Sequence, residues 1–482
     1  MVTPLQLNTI REIVGAENVL NAPEDLLVYS YDGTATLGRR PEAVVIPRSV
    51  EQIAKIMILA NQEGFSVVPR GSGSGLSGGS IPVENCIVLL MAHWNRIIEL
   101  DEANLAAWVE PGVITAQLDA AANERGLFYP PDPGSREIST LGGNVAENAG
   151  GLRGLKYGVT KNYVLGLEAV LPTGEVVRAG GKAIKDVAGY DLKDIFVGSE
   201  GTLGIFTKIL LRLLPRPEAS STVSAAFDSI ASAAKAVSAI VAGRITPSMM
   251  EFLDGTTMRC VEEYAAPGLP RTAGALLIME VDGRKAIVEE DAQRIVEYCR
   301  RHGAVQAVRA ADESESLKLK AARRAAFPAL ARVRPTTILE DVTVPRSALA
   351  EAVTKIEEIA RRKGVLLGNF GHAGDGNLHP TCLTDERNRE ELGRAERALE
   401  EIFDLAVALG GTITGEHGTG LAKRPFLEKQ VGRPAIDVMH KLKDVMDPNG
   451  VLNPGKVLLP RVRCEGKLPG RREEIAGHDA GR

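Results

Sequence analysis

The chain has 482 residues, of which 44% are hydrophobic and 25% are charged, a composition typical of a globular protein with two or three domains. Its formal net charge of -5 and the absence of any run of Lys and Arg exclude nucleic acid as a partner. Five cysteines without a C-x-x-C pair favour a reducing, cytoplasmic location. The first residues show no leader pattern, and no stretch reaches the roughly 20 apolar residues of a membrane span, so we expect membrane association only through a partner.

The first part of the chain predicts a β–α–β unit followed by mostly β-structure, an α+β arrangement. A strand over 43–46 leads to a capping box at Ser49 and a helix whose apolar face holds Ile53, Ile56, Met57 and Ala60, and Gly64 ends that helix. A second strand covers 65–69. Short strands are then predicted over 86–91, 96–100, 105–110, 164–171 and 175–179.

A proline-bounded segment near 215–217 predicts the end of this domain, which we place at 1–217. The alternation that follows indicates a smaller α/β domain over 218–435. Its predicted helices cover 229–242, 288–301, 349–363 and 390–409, and its predicted strands cover 275–281, 337–344 and 365–370. The polar tail over 461–482 is predicted to be disordered.

Residues 70–79 read RGSGSGLSGG and expose many backbone N–H groups, which is what a pyrophosphate requires. An alternative is a nicotinamide-binding Rossmann loop, because Gly73, Gly75 and Gly78 form a G-x-G-x-x-G with Glu99 or Asp101 downstream. A Rossmann loop opens directly into a helix, whereas here a strand follows, so the pattern favours another nucleotide-binding fold.

Further glycine-rich stretches cover residues 129–135, 140–151 and 198–204. Any one of them alone could be a surface turn. The loop at 70–79, the run from 129 to 151 and the stretch 198–204 lie in one domain, and the three together favour a long ligand that has both a pyrophosphate and a ring system.

Two short segments, HAGDGNLH at 372–379 and GEHG at 415–418, hold three of the seven histidines. Imidazoles beside a carboxylate suit a divalent metal such as zinc, iron or manganese, and glycines allow the ligands to approach closely. A strand alone would place residues seven apart on opposite faces, so a turn at 374–376 must fold His379 back beside His372. Asp375 is either a turn former or a partner that orients an imidazole.

These motifs, in this order, resemble the FAD-linked oxidases of the vanillyl-alcohol-oxidase type, in the branch that oxidises 2-hydroxy acids and includes glycolate oxidases and D-lactate dehydrogenases. The resemblance spans residues 41–460 and includes GYDLK at 189–193, RRAAFP at 323–328 and the closing 449–455 segment. It implies a two-subdomain FAD-binding domain of the PCMH type and an α/β cap domain with a mostly antiparallel sheet. It also implies that 436–460 returns to the FAD domain.

The resemblance implies a set of FAD-binding residues in the first domain and the closing segment. They are Pro69, Arg70, Gly71, Ser72, Gly73, Ser74, Gly75, Leu76, Pro131, Asp132, Ser135, Thr140, Gly142, Gly143, Asn144, Ala146, Asn148, Gly150, Gly151, Tyr157, Glu200, Gly201, Gly204, Ile205 and Asn453. Some relatives attach the flavin to a histidine in the first loop. Residues 69–81 contain neither histidine nor cysteine, so we predict dissociable FAD.

The implied reaction is oxidation of a short D-2-hydroxy acid, glycolate or D-lactate, to its 2-oxo acid, with hydride passing from C2 to the flavin N5. His372, His379 and Glu416 would hold the metal, and His417 would be the general base. Arg324 would bind the substrate carboxylate, with Arg323 as its rival. Electrons would pass to an iron–sulfur subunit, an electron-transferring flavoprotein or a quinone.

Two other functions are compatible with parts of the sequence. One is oxidation of D-2-hydroxyglutarate, but the substrate-contacting lysine of those enzymes falls at Leu339 here. The other is a non-catalytic flavin-binding accessory subunit, which would have no need of the histidine cluster or of Arg324.

Overall fold

The structure, a computed structural model, describes residues 2–460. The predicted polar tail at 461–482 lies outside the described residues. The α-helices are Pro4–Val14, Pro23–Val28, Val50–Glu63, Thr115–Asn123, Leu141–Glu147, Gly154–Tyr157, Leu192–Phe196, Ile230–Ala242, Gly255–Ala265, Lys285–Arg301, Glu313–Arg324, Ala326–Leu330, Leu349–Lys363, Arg389–Ala408, Arg424–Val431 and Arg433–Met446.

A four-stranded sheet forms the first layer, as the β–α–β pattern predicts. Its strands, in spatial order, are Val19–Leu20, Ala43–Val45, Cys86–Leu90 and Ser66–Arg70. The last three are parallel. Ser49 caps the helix Val50–Glu63, the predicted apolar face is buried, and Gly64 ends the helix in the left-handed conformation. The strand Ser66–Arg70 therefore delivers the glycine loop at one end of this sheet.

A five-stranded antiparallel sheet forms the second layer. Its strands, in spatial order, are Ile97–Asp101, Ala106–Val109, Ile205–Arg212, Val164–Val170 and Val176–Gly180. A small pairing of Leu127–Phe128 with Leu214–Pro215 lies beside it.

Two helices in this part of the chain, Thr115–Asn123 and Leu141–Glu147, have no counterpart among the predicted elements. The second lies within the glycine-rich stretch 140–151, so a surface turn is the wrong interpretation of those residues. Thr140 accepts a hydrogen bond from the N–H of Gly143 and caps the helix. Buried Leu141 and Val145 contribute the apolar contacts that offset the low helix propensity of glycine.

The third sheet is antiparallel throughout and contains eight strands. Seven follow the spatial order Ala304–Arg309, Ala219–Phe227, Ala275–Gly283, Met249–Asp254, Leu366–His372, Asn377–Thr384 and Thr336–Leu339, and Val342–Thr343 also pairs with Asn377–Thr384. The single strand predicted over 337–344 was wrong, because it is interrupted at Glu340 and Asp341. Both side chains turn into a buried polar cluster with Lys423.

The closing segment packs against the first layer. Leu452 bridges to Val67 in parallel, and Val451 and Leu452 are buried in the same cluster as Val67. The Asn453 amide donates hydrogen bonds to the carbonyls of Gly79 and Glu200. Among residues 2–460, no helix is long and apolar enough to cross a membrane.

Candidate active site

A cavity of about 670 Å³ lies where the first two sheets face the third. The glycine loops form one wall and the histidine segments form another. The two walls approach closely, because a Cβ added at Gly150 would lie 2.6 Å from Glu416 Oε2. A single volume therefore joins both groups of residues that the sequence singled out.

Most of the residues expected to bind FAD line this cavity. They are Pro69, Arg70, Gly71, Ser72, Gly73, Ser74, Gly75, Leu76, Ser135, Thr140, Gly142, Gly143, Asn144, Ala146, Gly150, Glu200, Gly201, Gly204 and Ile205. Their shared position makes them candidates for direct contact with a cofactor.

The loop over residues 71–76 has the properties of an anion cradle. Within residues 2–460 none of its backbone N–H groups donates a hydrogen bond to the protein. Gly73 has φ of +74°, and a Cβ at Gly71 would lie 2.2 Å from Thr140 Oγ1. These residues are half-buried or exposed along the cavity, so their N–H groups are open to an anionic ligand, and the loop fits a pyrophosphate.

Six residues of the expected set, Pro131, Asp132, Asn148, Gly151, Tyr157 and Asn453, do not line the cavity. Asp132 pairs with arginines, and the Tyr157 hydroxyl donates to Asp282 at 2.8 Å. Asn148 Oδ1 accepts from the N–H of Lys161, and Asn453 holds Gly79 and Glu200. Asn453 thus supports two residues that line the cavity, and direct contact of these six residues with FAD stays a prediction.

The predicted fold-back of the first histidine segment is present. Strands Leu366–His372 and Asn377–Thr384 form a hairpin in which Phe370 lies opposite His379 and His372 lies opposite Asn377. Gly376 has φ of +74° at the turn, a conformation that glycine adopts readily. The His372 and His379 ring centroids are 5.1 Å apart.

Glu416 completes a set of possible metal ligands. Its Oε1 lies 3.0 Å from His372 Nε2 and 3.3 Å from His379 Nε2. Two imidazole nitrogens and a carboxylate oxygen converging in a buried site fit zinc, iron or manganese. The residues present therefore fit a divalent metal.

Asp341, His379 and His417 form a second close group, in which one oxygen of the Asp341 carboxylate accepts four hydrogen bonds. Its Oδ2 accepts from the backbone N–H groups of Gly415, Glu416 and His417 and from the Thr414 hydroxyl, at 2.7–3.1 Å. Its Oδ1 accepts from the Asn377 amide at 2.5 Å. Asp341 therefore orders the loop that carries Glu416 and His417.

The protonation of the cluster follows from burial and charge. Burial opposes the charged form of His372, yet Glu251 and Glu416 raise its pKa well above its ordinary value. Burial opposes ionisation of Glu416, but His372 and His379 hold its pKa well below its ordinary value. Burial lowers the pKa of His417 to about 4 against the opposing effect of Asp341, so this imidazole is neutral at neutral pH.

Both candidate arginines line the cavity. Arg324 Nη2 donates to both oxygens of Asp132 at 2.8 and 3.0 Å, whereas Arg323 Nε lies 2.6 Å from Glu251 Oε2. Arg324 Nη1 is buried without a hydrogen-bond partner in the described chain. Asp132 also contacts Arg136 and Arg153, so Arg324 shares this carboxylate with two other cations.

Sequence reasoning missed Glu251, Asp341, Lys423 and Glu147. Glu251 and Lys423 are buried and contact the histidine cluster or Asp341, and Glu147 lines the cavity. Glu147 lies within the glycine-rich stretch 140–151, and a carboxylate there was a signal that could have been used. Glu251 lies in the strand Met249–Asp254 and Lys423 in the turn just before the helix Arg424–Val431, and no local motif marks either residue.

The fold and the site together define a nucleotide-cofactor enzyme of two parts, one part cradling the cofactor and the other carrying polar groups over it. The "FAD binding domain" family model matches residues 41–180, and "FAD linked oxidases, C-terminal domain" matches residues 216–457. The chain belongs to this family of FAD-linked oxidases. It is therefore an FAD-dependent oxidoreductase, as the sequence resemblance predicted.

Relatives extend this result over nearly the full length. The chain is 50% identical over 463 residues to glycolate oxidase subunit GlcD of Bacillus subtilis (strain 168), covering 96% of this chain and 98% of that protein. It is 32% identical over 471 residues to a D-lactate dehydrogenase of Anaerostipes hadrus, covering 95% and 98%. A solved p-cresol methylhydroxylase with substrate bound shares the fold, with a TM-score of 0.77, 18% identity, and 95% and 98% coverage.

Proposed function

We propose that this enzyme oxidises a short D-2-hydroxy acid, glycolate or D-lactate, to its 2-oxo acid. The observation that carries the proposal is the single cavity shared by the glycine loops and by His372, His379, Glu416 and His417. The names of the relatives, a glycolate oxidase subunit and a D-lactate dehydrogenase, support the substrate class. FAD, held without a covalent bond, supplies the acceptor for the C2 hydrogen and its electron pair.

His372, His379 and Glu416 would hold a divalent metal beside the substrate. A metal there would polarise the substrate hydroxyl and lower its pKa. The imidazole and carboxylate ligands are buried and face the cavity. Their backbone is fixed by the hairpin and by Asp341, so the ligand atoms are presented without a large rearrangement.

His417 would act as the general base that takes the hydroxyl proton. Its ring lies parallel to that of His379, with centroids 5.1 Å apart, and its Nε2 lies 3.9 Å from Glu416 Oε1. We assign it a role beside the proposed ligand set, because it lies farther from Glu416 Oε1 than His372 or His379 does. The hydroxyl proton would move to an imidazole nitrogen as the C2 hydrogen leaves.

The substrate carboxylate would be bound by Arg324. Arg324 shares the Asp132 carboxylate with Arg136 and Arg153, whereas Arg323 lies 2.6 Å from Glu251, and this difference supports Arg324 over Arg323. A guanidinium can donate two parallel hydrogen bonds to a carboxylate, which fixes its orientation. A substrate whose carboxylate is held in one orientation would always turn the same face of its C2 atom toward the flavin.

Apolar side chains limit the length of the substrate. Phe327, Pro328, Leu339 and Phe370 line the same cavity as the metal ligands and arginines. Leu339 takes the position that the resemblance assigns to a substrate-contacting lysine of D-2-hydroxyglutarate dehydrogenases. A leucine would leave a second substrate carboxylate without a cation, which supports glycolate or D-lactate. The buried ligand cluster also disfavours a non-catalytic accessory subunit, because such a subunit would gain nothing from it.

The electrons would pass from the flavin to an iron–sulfur subunit, an electron-transferring flavoprotein or a quinone. The word "subunit" in the name of the Bacillus subtilis relative supports an assembly with partner chains. Any association with a membrane would come through such a partner.

A panel of 2-hydroxy acids with an artificial dye as electron acceptor tests the proposal. Glycolate and D-lactate should give the highest kcat/KM, L-lactate should be much poorer, and activity should require the metal found by elemental analysis. A preference for D-2-hydroxyglutarate would show that the substrate is this longer dicarboxylate and not glycolate or D-lactate. Loss of metal without loss of activity would remove the metal from the mechanism.

A further inference from the structure

We infer that Glu251 is a positioning residue that joins the proposed metal ligand His372 to the cavity arginine Arg323. Glu251 Oε1 lies 2.7 Å from His372 Nδ1, and Glu251 Oε2 lies 2.6 Å from Arg323 Nε. The Glu251 side chain is 0% exposed. One buried carboxylate thus contacts both functional groups, and this inference rests on the proposed function.

The sheet determines this position. Glu251 lies in the strand Met249–Asp254, directly opposite His372 in the neighbouring strand. Side chains of directly opposed residues in an antiparallel pair share a face and lie close together. Burying a carboxylate is costly unless it is paired and hydrogen-bonded, and here each oxygen has a cationic or hydrogen-bonding partner.

The contact with His372 determines which nitrogen of the imidazole is available. Nδ1 faces Glu251, which does not line the cavity, whereas Nε2 faces Glu416, which does. A proton held on Nδ1 by the Glu251 carboxylate would leave Nε2 for a metal. Partners of this kind fix the tautomer and orientation of metal-ligating histidines and raise their basicity. Glu251 would therefore strengthen metal binding without touching the metal.

The contact between Glu251 and Arg323 holds the Arg323 guanidinium in place. The Arg323 guanidinium lies over the Phe370 ring at 4.8 Å from its centroid, and its side chain is only 6% exposed. Glu251 neutralises this buried cation and holds it on the cavity wall. The shared carboxylate would make the position of Arg323 depend on the same group that orients His372.

Three variants test the inference. Glu251→Gln keeps the size of the side chain, but its amide group would face the Arg323 donor, and its oxygen is a weaker acceptor. Glu251→Asp keeps the charge and withdraws it from both partners. Glu280→Gln is the matched control, because Glu280 is a buried carboxylate in the adjoining strand that pairs with Lys320 at 2.6 Å.

The measurement is the affinity of the purified FAD-loaded protein for Zn²⁺ and for Mn²⁺, by competition with a chelator, together with FAD content and Tm. Glu251→Gln should bind metal about 10- to 100-fold more weakly than wild type. Its FAD content should be unchanged, and Glu251→Asp should lie between the two. Glu280→Gln should bind metal as wild type does.

Wild-type metal affinity in a folded Glu251→Gln variant would overturn the inference. If that variant fails to fold, the same comparison is made with Glu251→Asp, and wild-type affinity there would overturn it equally. A wild-type protein that binds neither metal would instead refute the metal site of the proposed function, and the inference would fall with it. The two failures are therefore distinguishable.

Discussion

The imidazole rings of His379 and His417 lie parallel, with an interplanar angle of 8° and centroids 5.1 Å apart. His379 Nε2 is 3.3 Å from Glu416 Oε1, whereas His417 Nε2 is 3.9 Å from the same atom. His379 and His372 thus converge on Glu416 more closely than His417 does. We therefore propose His379 as a metal ligand and His417 as the base, although their rings are adjacent.

His417→Gln should lower kcat by about 10²- to 10⁴-fold, the usual contribution of a positioned base. Metal content and FAD content should remain near wild type, because His417 is not one of the proposed ligands. Steady-state kinetics measures kcat, elemental analysis measures the metal content, and flavin absorbance measures the FAD content. His93→Gln is the control, since His93 is exposed and does not line the cavity. A wild-type kcat in His417→Gln would place the base elsewhere.

Arg324→Ala should raise KM for D-lactate and lower kcat/KM by about 10- to 150-fold, the equivalent of one charge-assisted hydrogen bond of roughly 1.5–3 kcal/mol. Arg324→Lys should recover only part of this loss, because a lysine cannot donate in parallel to both carboxylate oxygens. Arg323→Ala is the matched comparison. If Arg323→Ala raises KM more than Arg324→Ala does, and Arg324→Ala changes KM little, then Arg323 binds the substrate carboxylate.

Asp341→Ala should destabilise the enzyme strongly. It leaves the Thr414 hydroxyl and three backbone N–H groups without their acceptor, and each unsatisfied buried group costs about 1–3 kcal/mol. Thermal unfolding of the FAD-loaded protein should show a Tm several degrees lower. Asp341→Asn should lie between Asp341→Ala and wild type. An unchanged Tm in Asp341→Ala would show that the loop is held by other contacts.

Glu147 and Glu200 should make stability fall as pH rises. Burial and the neighbouring Glu200 and Asp32 raise the pKa of Glu147 well above 4.5, against an opposing effect of Lys423. Burial raises the pKa of Glu200 to about 7. Between pH 4.5 and about 7 the folded state holds more protons than the unfolded state, so stability is greatest below this window and is lost as pH increases.

Glu147→Gln should therefore show a smaller fall in Tm between about pH 5 and pH 8 than wild type. The amide cannot ionise, and its presence also removes a negative neighbour from Glu200. Glu124→Gln, at an exposed position, should follow the wild-type curve. A Glu147→Gln curve parallel to that of wild type would show that this carboxyl has no raised pKa.

Denaturation with acid should release FAD into the supernatant. The loop at 69–81 contains no histidine or cysteine that could bond to the flavin. Absorbance of the supernatant and of the redissolved pellet measures the distribution. Flavin that stays with the pellet would contradict non-covalent binding and would identify an attachment site elsewhere in the chain.

Local sequence patterns predicted the features that depend on local geometry. The hairpin that brings His379 beside His372 follows from the turn at Gly376, and the helix Val50–Glu63 follows from its cap and apolar face. The glycine loop at 71–76 was predictable for the same reason, since its composition alone exposes the backbone. These signals are all contained within a dozen or so residues.

Contacts between distant residues were not predictable in this way. Glu251 lies 121 residues from His372 and reaches it only because two strands become neighbours in the sheet. Asp341 lay inside a continuous strand pattern, so nothing marked it as the acceptor for the 414–417 loop. The helix Leu141–Glu147 was hidden by its glycines, because the packing of Leu141 and Val145 outweighs local propensity.

The most direct test of the account is anaerobic mixing of the FAD-loaded enzyme with D-lactate or glycolate while the flavin absorbance is followed. We expect the yellow colour to bleach in a single turnover with D-lactate or glycolate, much more slowly with L-lactate, and hardly at all after removal of the metal. If no 2-hydroxy acid bleaches the flavin, although dithionite does, this enzyme does not oxidise 2-hydroxy acids.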